Sequence, residues 1–231
     1  MGPDNKKYYT IAQYVDDADK VVDQLKKEYP GKKIVLLGHS WGGMLSSSYL
    51  KDAARRDKIT AWIYAAGLQN GTTMQETTIA DLNTEADARI AADQNINEWE
   101  IVKNELSENP SLATANKFAY SVTNMIPEVL IKVSNTTDFK FTTRAISSNA
   151  ALFEEITKTN NNPVLKNVTM PCLILWGKYD FAVSKTYEKE FLANIASKNV
   201  TAIDFNASGH YMMFHEPELF AKSVINFTTA L

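Results

Sequence analysis

In the stretch KKIVLLGHSWGGMLSSSYL, residues 32–50, Ser40 stands between Gly38 and Gly42. A serine hydroxyl is a weak nucleophile until a base takes its proton, and the base works best when a carboxylate orients it. Three histidines are available. His39 adjoins Ser40, and across a sharp turn its ring is expected to point away and pack beneath the turn. His210 and His215 share the segment NASGHYMMFHEPELF. His210 follows the run VTAIDF by a short Ser-Gly loop, whereas His215 stands beside Glu216 and Pro217, where helix capping or surface solvation accounts for it. For the acid, LILWGKYDFAVS places Asp180 just past an apolar run and a glycine turn, and Asp204 in the next run is the weaker alternative. Ser40, His210 and Asp180 could together carry acyl transfer: attack on an ester or amide carbonyl, proton shuttling, and orientation of the imidazole.

These residues need elements that bring them to one place. Ile11, Val15, Ala18, Val22 and Leu25 recur at helical spacing, so a helix is expected over about residues 11–29, stopped by Pro30-Gly31. KIVLLG is short and continuously apolar and suits a strand buried on both faces. A helix is expected from Trp41 to about Arg56, then a second buried strand in KITAWIYAAG. Strand, helix, strand is the unit of a parallel sheet. G-H-S-W-G fits G-x-S-x-G, the strained strand-to-helix turn that lifts a serine hydroxyl above the carboxyl edge of such a sheet. Glycines two before and two after the serine are expected because a Cβ there would clash.

Between about residues 68 and 165, β-branched runs vanish and helix formers and amides dominate, which predicts a mainly helical insertion. Ile90, Trp99, Leu106, Phe118, Met125, Leu130, Phe139 and Phe153 are expected to form its core. The alternation then resumes with strand CLILWG at 172–177, a helix over about 184–196, strand VTAIDF at 200–205 and a last helix over about 217–231. Residues 1–67 and 166–231 are thus expected to form one core and 68–165 the insertion.

With the chain order Ser40, Asp180, His210, the sequence resembles the α/β-hydrolase superfamily. GHSWGGMLSSSYL, MPCLILWGKYD and SGHYMMFHEPELF are similar to its elbow, acid-strand and histidine-loop segments. Tryptophan after the serine followed by paired glycines is most similar to the proline-iminopeptidase-like branch, a pattern that esterases and carbon-carbon bond hydrolases share. The resemblance implies an α/β fold, a helical cap at the insertion, and the backbone N–H of Trp41 as first oxyanion donor. It also implies a departure. The family's elbow strand follows four others and a Gly-rich loop that gives the second oxyanion donor, whereas about 30 residues precede KIVLLG here. The expected sheet therefore lacks the first strands and leaves KIVLLG at an open edge. That edge predicts self-association or pairing with a missing N-terminal segment.

Composition bounds the rest. At 231 residues with 45% apolar content the chain can bury a sizeable core, and a net charge of −3 gives no basic surplus for nucleic acid or anionic lipid. No apolar run approaches a membrane span and the start lacks a secretion signal, so a soluble, by default cytoplasmic, protein is expected. The lone Cys172 suits a small buried residue. No metal or organic cofactor is required by the chemistry above. The expected function is a serine hydrolase cleaving an ester or amide bond of a small molecule or short peptide. The alternative is a non-catalytic relict or binding domain that keeps the fold without turnover.

Overall fold

In a computed structural model, which describes residues 9–129 and 143–231, four strands form one parallel sheet in the order β1-β2-β3-β4. They are β1 (Val35–His39), β2 (Ala61–Ala65), β3 (Cys172–Gly177) and β4 (Val200–Phe205). Each crossover is helical. α1 (Ile11–Glu28) precedes the sheet, with Thr10 capping its start by accepting the Gln13 N–H at 3.1 Å. α2 (Trp41–Tyr49) and α3 (Ala53–Arg56) join β1 to β2, and α4 (Met74–Ala91), α5 (Ile96–Glu108), α6 (Leu112–Ala119), α7 (Thr143–Ile156) and α8 (Asn162–Leu165) join β2 to β3. α9 (Lys185–Asn194) leads to β4, and α10 (Met212–His215) and α11 (Pro217–Thr229) end the chain.

The helix expected over 41–56 is two helices. Asp52 accepts the Arg55 N–H at 3.0 Å and starts α3 afresh, giving the backbone a partner that a continuing helix would not use. The last helix, expected over about 217–231, is α11, and Glu216 alone separates it from the short α10 before it.

β2 and β3 are buried throughout, as their continuous apolar runs require. β1 differs from the expected two-faced burial. Among the described residues it pairs with β2 alone, and Leu37 is 46% exposed. One apolar cluster gathers β2, β3, Val15 and Val22 of α1, and Met44 of α2. Leu152, Ile156, Val164 and Leu165, late in the stretch between β2 and β3, also join it. A second cluster unites Leu82, Trp99, Val102, Leu106 and Phe118 with Tyr179, Phe181 and Ala182 of the loop after β3. Ile90 and Met125 pack against this second cluster, while Phe153 is 36% exposed and does not serve as core; Leu130 and Phe139 lie outside the described residues. Cys172 is buried in β3, and burial pushes its thiol up to about 12.

Candidate active site

β1 ends directly beneath Ser40, and α2 begins directly after it. Between them Ser40 takes φ 57° and ψ −125°, a region that a side-chain-bearing residue rarely occupies. The turn is held from the neighbouring strand. The Ser40 N–H donates to the carbonyls of Ala65 and Ala66 at 3.2 and 3.1 Å, and the Leu68 N–H donates to the Ser40 carbonyl at 3.1 Å. A Cβ on Gly38 would lie 2.3 Å from the Gly42 carbonyl oxygen, so the first glycine is required as expected. The second requirement falls elsewhere. A Cβ on Gly42 would meet nothing within 4 Å, whereas one on Gly43 would lie 2.4 Å from the Gly67 Cα. The close approach is between the first turn of α2 and the loop after β2.

Ser40, His210 and Asp180, from three separate sheet ends, meet. His210 Nε2 lies 2.8 Å from Ser40 Oγ, and His210 Nδ1 lies 2.8 Å from Asp180 Oδ2. With Nδ1 protonated toward the carboxylate, Nε2 is free to accept the serine proton. Asp180 is buried, and its other oxygen accepts the N–H groups of Ala182 and Val183, each at 2.9 Å, which fixes the carboxylate in a tight turn. Trp41 is the first residue of α2, where a backbone N–H has no partner within the helix. The alternative acid, Asp204, is an exposed residue paired with Lys185.

Sequence reasoning assigned no role to three residues that brace the histidine. His39 was expected to turn away beneath the elbow. Its ring centroid lies 4.7 Å from that of His210, and its Nε2–H donates to the His210 carbonyl at 2.9 Å. Burial, reinforced by His210 nearby, holds His39 below the usual imidazole range and keeps it neutral near pH 7. His215, for which helix capping or surface solvation was expected to account, is buried, and its Nδ1 accepts the Gly209 N–H at 3.1 Å. Glu216 accepts from the Ala207 N–H at 3.0 Å and the Ser208 hydroxyl at 2.6 Å. The signal was present in the crowding of HEP so soon after SGH, which a capping interpretation absorbed. Aromatic rings close the surround: Tyr120 meets the His210 ring edge-on at 5.6 Å, and Tyr211 does so at 5.1 Å. Among the described residues no cluster of His, Cys, Asp and Glu has the form of a metal site, and no helix is long and apolar enough to cross a membrane.

No curated protein matches the chain. Solved structures do, at the level of fold. An alpha/beta fold family hydrolase from Bacillus anthracis is 18% identical with a TM-score of 0.59, covering 98% of this chain and 77% of its own. A proline iminopeptidase from Mycobacterium smegmatis is 19% identical with a TM-score of 0.59, covering 96% and 72%, and an esterase from Exiguobacterium antarcticum is 17% identical with a TM-score of 0.56, covering 96% and 74%. The family described as serine aminopeptidase, S33, matches residues 5–218. With that match over most of its length and a parallel sheet of the same kind, the chain belongs to the serine aminopeptidase S33 family and is an α/β-hydrolase enzyme.

Proposed function

We propose that the protein is a serine hydrolase that cleaves an ester or amide bond of a small substrate through Ser40, His210 and Asp180. The observation that carries this reading is the unbroken run of hydrogen bonds, 2.8 Å from Ser40 Oγ to His210 Nε2 and 2.8 Å from His210 Nδ1 to Asp180. In this mechanism His210 Nε2 takes the hydroxyl proton as Ser40 Oγ bonds to the carbonyl carbon, and the carbonyl π pair becomes an oxyanion. The Trp41 N–H, at the positive end of α2, stabilises that oxyanion. Collapse expels the alcohol or amine, which receives the proton from His210. Water then repeats the sequence on the acyl-serine and frees the acid.

The helices between β2 and β3 act as a cap in this reading, and Asp180 holds the imidazolium that forms in each half-reaction. An aminopeptidase needs a carboxylate free to bind the substrate's ammonium. Glu128 is already paired with Arg89 at 3.1 Å, and Glu76, Glu98 and Glu100 are spread along the solvent side of α4 and α5. A short ester therefore fits the site more simply than a peptide with a free amino terminus. Comparing hydrolysis of a proline anilide with that of a short nitrophenyl ester separates the two.

A non-catalytic domain is the second reading, because the resemblance puts a second oxyanion donor in a loop that has no assigned counterpart among the described residues. A fluorophosphonate probe decides between them. Covalent labelling of the wild type that disappears in Ser40→Ala is the expected result, and a folded wild type that never labels would sink the first reading.

A further inference from the structure

The chemistry proposed above fixes where part of the substrate must lie, and this inference rests on that reading. His210 Nε2 gives its proton to the departing atom, so the leaving group has to sit within hydrogen-bond reach of the imidazole. Whatever bulk the leaving group carries then spreads over the side chains around that ring. Three rings touch it: His39, Tyr211 and Tyr120. Of these, Tyr120 keeps the most open surface, 46% exposed while its ring stands edge-on to His210 at 80°. Its centroid is also 6.4 Å from that of Tyr211, and Tyr211 continues the band to Phe214 at 6.2 Å.

Tyr120 is held in this place. It follows α6 and leads into the 3-10 turn Val122–Met125, where Phe118 and Val122 on either side of it are buried in the second apolar cluster. The same segment abuts the histidine loop. A Cβ built on Gly209 would lie 2.5 Å from Thr123 Cγ2, so the chain of the insertion and the residue preceding His210 are already in contact. An exposed aromatic ring pinned beside a proton donor offers a flat apolar face and no charge.

We propose that Tyr120, with Tyr211 beside it, forms a leaving-group subsite that selects esters or amides whose departing alcohol or amine carries an aromatic or flat apolar group. An offset or edge-to-face ring contact of this kind changes acylation by about twofold to tenfold. Benzyl acetate and methyl acetate test the point, since they share an acyl group and release alcohols of near-equal acidity. The wild type should show a higher kcat/KM on the benzyl ester. Tyr120→Ala should lower the benzyl-to-methyl ratio by about twofold to tenfold, and Tyr120→Phe should retain it, since the ring rather than the hydroxyl makes the contact. No benzyl preference in the wild type would overturn the inference. So would a parallel fall on both esters in Tyr120→Ala, which would mean that the ring only props His210. Ester hydrolysis that persists in Ser40→Ala would instead overturn the assignment of Ser40 and leave the ratio free to judge Tyr120 on its own.

Discussion

His210 owes its position to more than its two partners in the hydrogen-bonded run. The His39 Nε2–H fixes the carbonyl of His210 from below, while the His215 Nδ1 fixes the N–H of the preceding glycine. Removing the first of these should loosen the imidazole without touching substrate. His39→Phe keeps a ring against His210 but has no donor, and a lost hydrogen bond of about 0.5–1.5 kcal/mol corresponds to a fall of about twofold to tenfold in kcat with KM little changed. His39→Gln, which can still donate, should recover part of the loss in steady-state kinetics. A stability effect follows from the same residue. Both His39 and His215 are held below the usual imidazole value of about 6.5, chiefly by burial. Above that pH the imidazoles are neutral in folded and unfolded chains alike, and this part of the stability is intact. As pH falls below about 6.5, the unfolded chain binds protons that the folded one refuses, so stability declines through the lowered folded values. Urea unfolding at pH 7.5 and 5.5 should show a smaller decline in His39→Phe than in the wild type, with His215 sustaining the remainder. Equal declines in the two proteins would mean that His39 titrates alike in both states.

At the scale of elements, the elbow separates what pattern can announce from what only packing decides. A glycine-flanked serine between an apolar run and helix formers was readable because strand, turn and helix each leave a local mark. The same holds for β2, β3, β4 and α1, whose continuous or periodic apolar residues specify them without outside help. Which glycine is crowded was not readable, since the clash at Gly43 comes from Gly67 and Leu68, in a loop more than twenty residues away. The division of the helix at Asp52 was hidden for a different reason: KDAARR has good helix formers, and only the cap formed by Asp52 restarts the chain. The contrast yields a prediction. Gly43→Ala must push a Cβ into backbone 2.4 Å away and displace the loop that holds Ser40, and overpacking of this kind costs about 1–3 kcal/mol. Gly42→Ala meets open space and should be neutral or raise stability by about 0.5 kcal/mol, because alanine favours helix. Denaturant midpoints of the two variants should therefore move in opposite directions or differ by at least the first amount. Equal shifts would show that the loop after β2 yields freely.

Across the whole molecule the candidate site spans two apolar cores. Ser40 is positioned by the sheet cluster, through β1 and Met44 of α2, whereas Asp180 lies between Tyr179 and Phe181, both members of the cluster built by α4, α5 and α6. Arg89 of α4 strengthens this second attachment, pairing with Glu85 at 2.6 Å and Glu128 at 3.1 Å while its guanidinium stands 5.6 Å from the centre of the Tyr179 ring. The residues flanking Asp180 thus pack with the helices between β2 and β3, a contact that no local pattern in residues 68–165 discloses. A cavity deep in those helices should consequently be felt at Asp180. Leu106 on α5 is fully buried in the second cluster, and Leu106→Ala should cost about 2–5 kcal/mol there. Hydrogen exchange would locate the loss. The amides of Ala182 and Val183, which donate to Asp180 Oδ1, should speed up together with those of α4 and α5, while β2 and β3 amides keep their protection. The hydrolysis rate should fall with them, because a carboxylate free to wander no longer holds the His210 ring toward Ser40. If the two loop amides instead keep pace with the strands while the insertion loosens, the acid is anchored by the sheet alone, and the insertion can be altered without disturbing the chemistry.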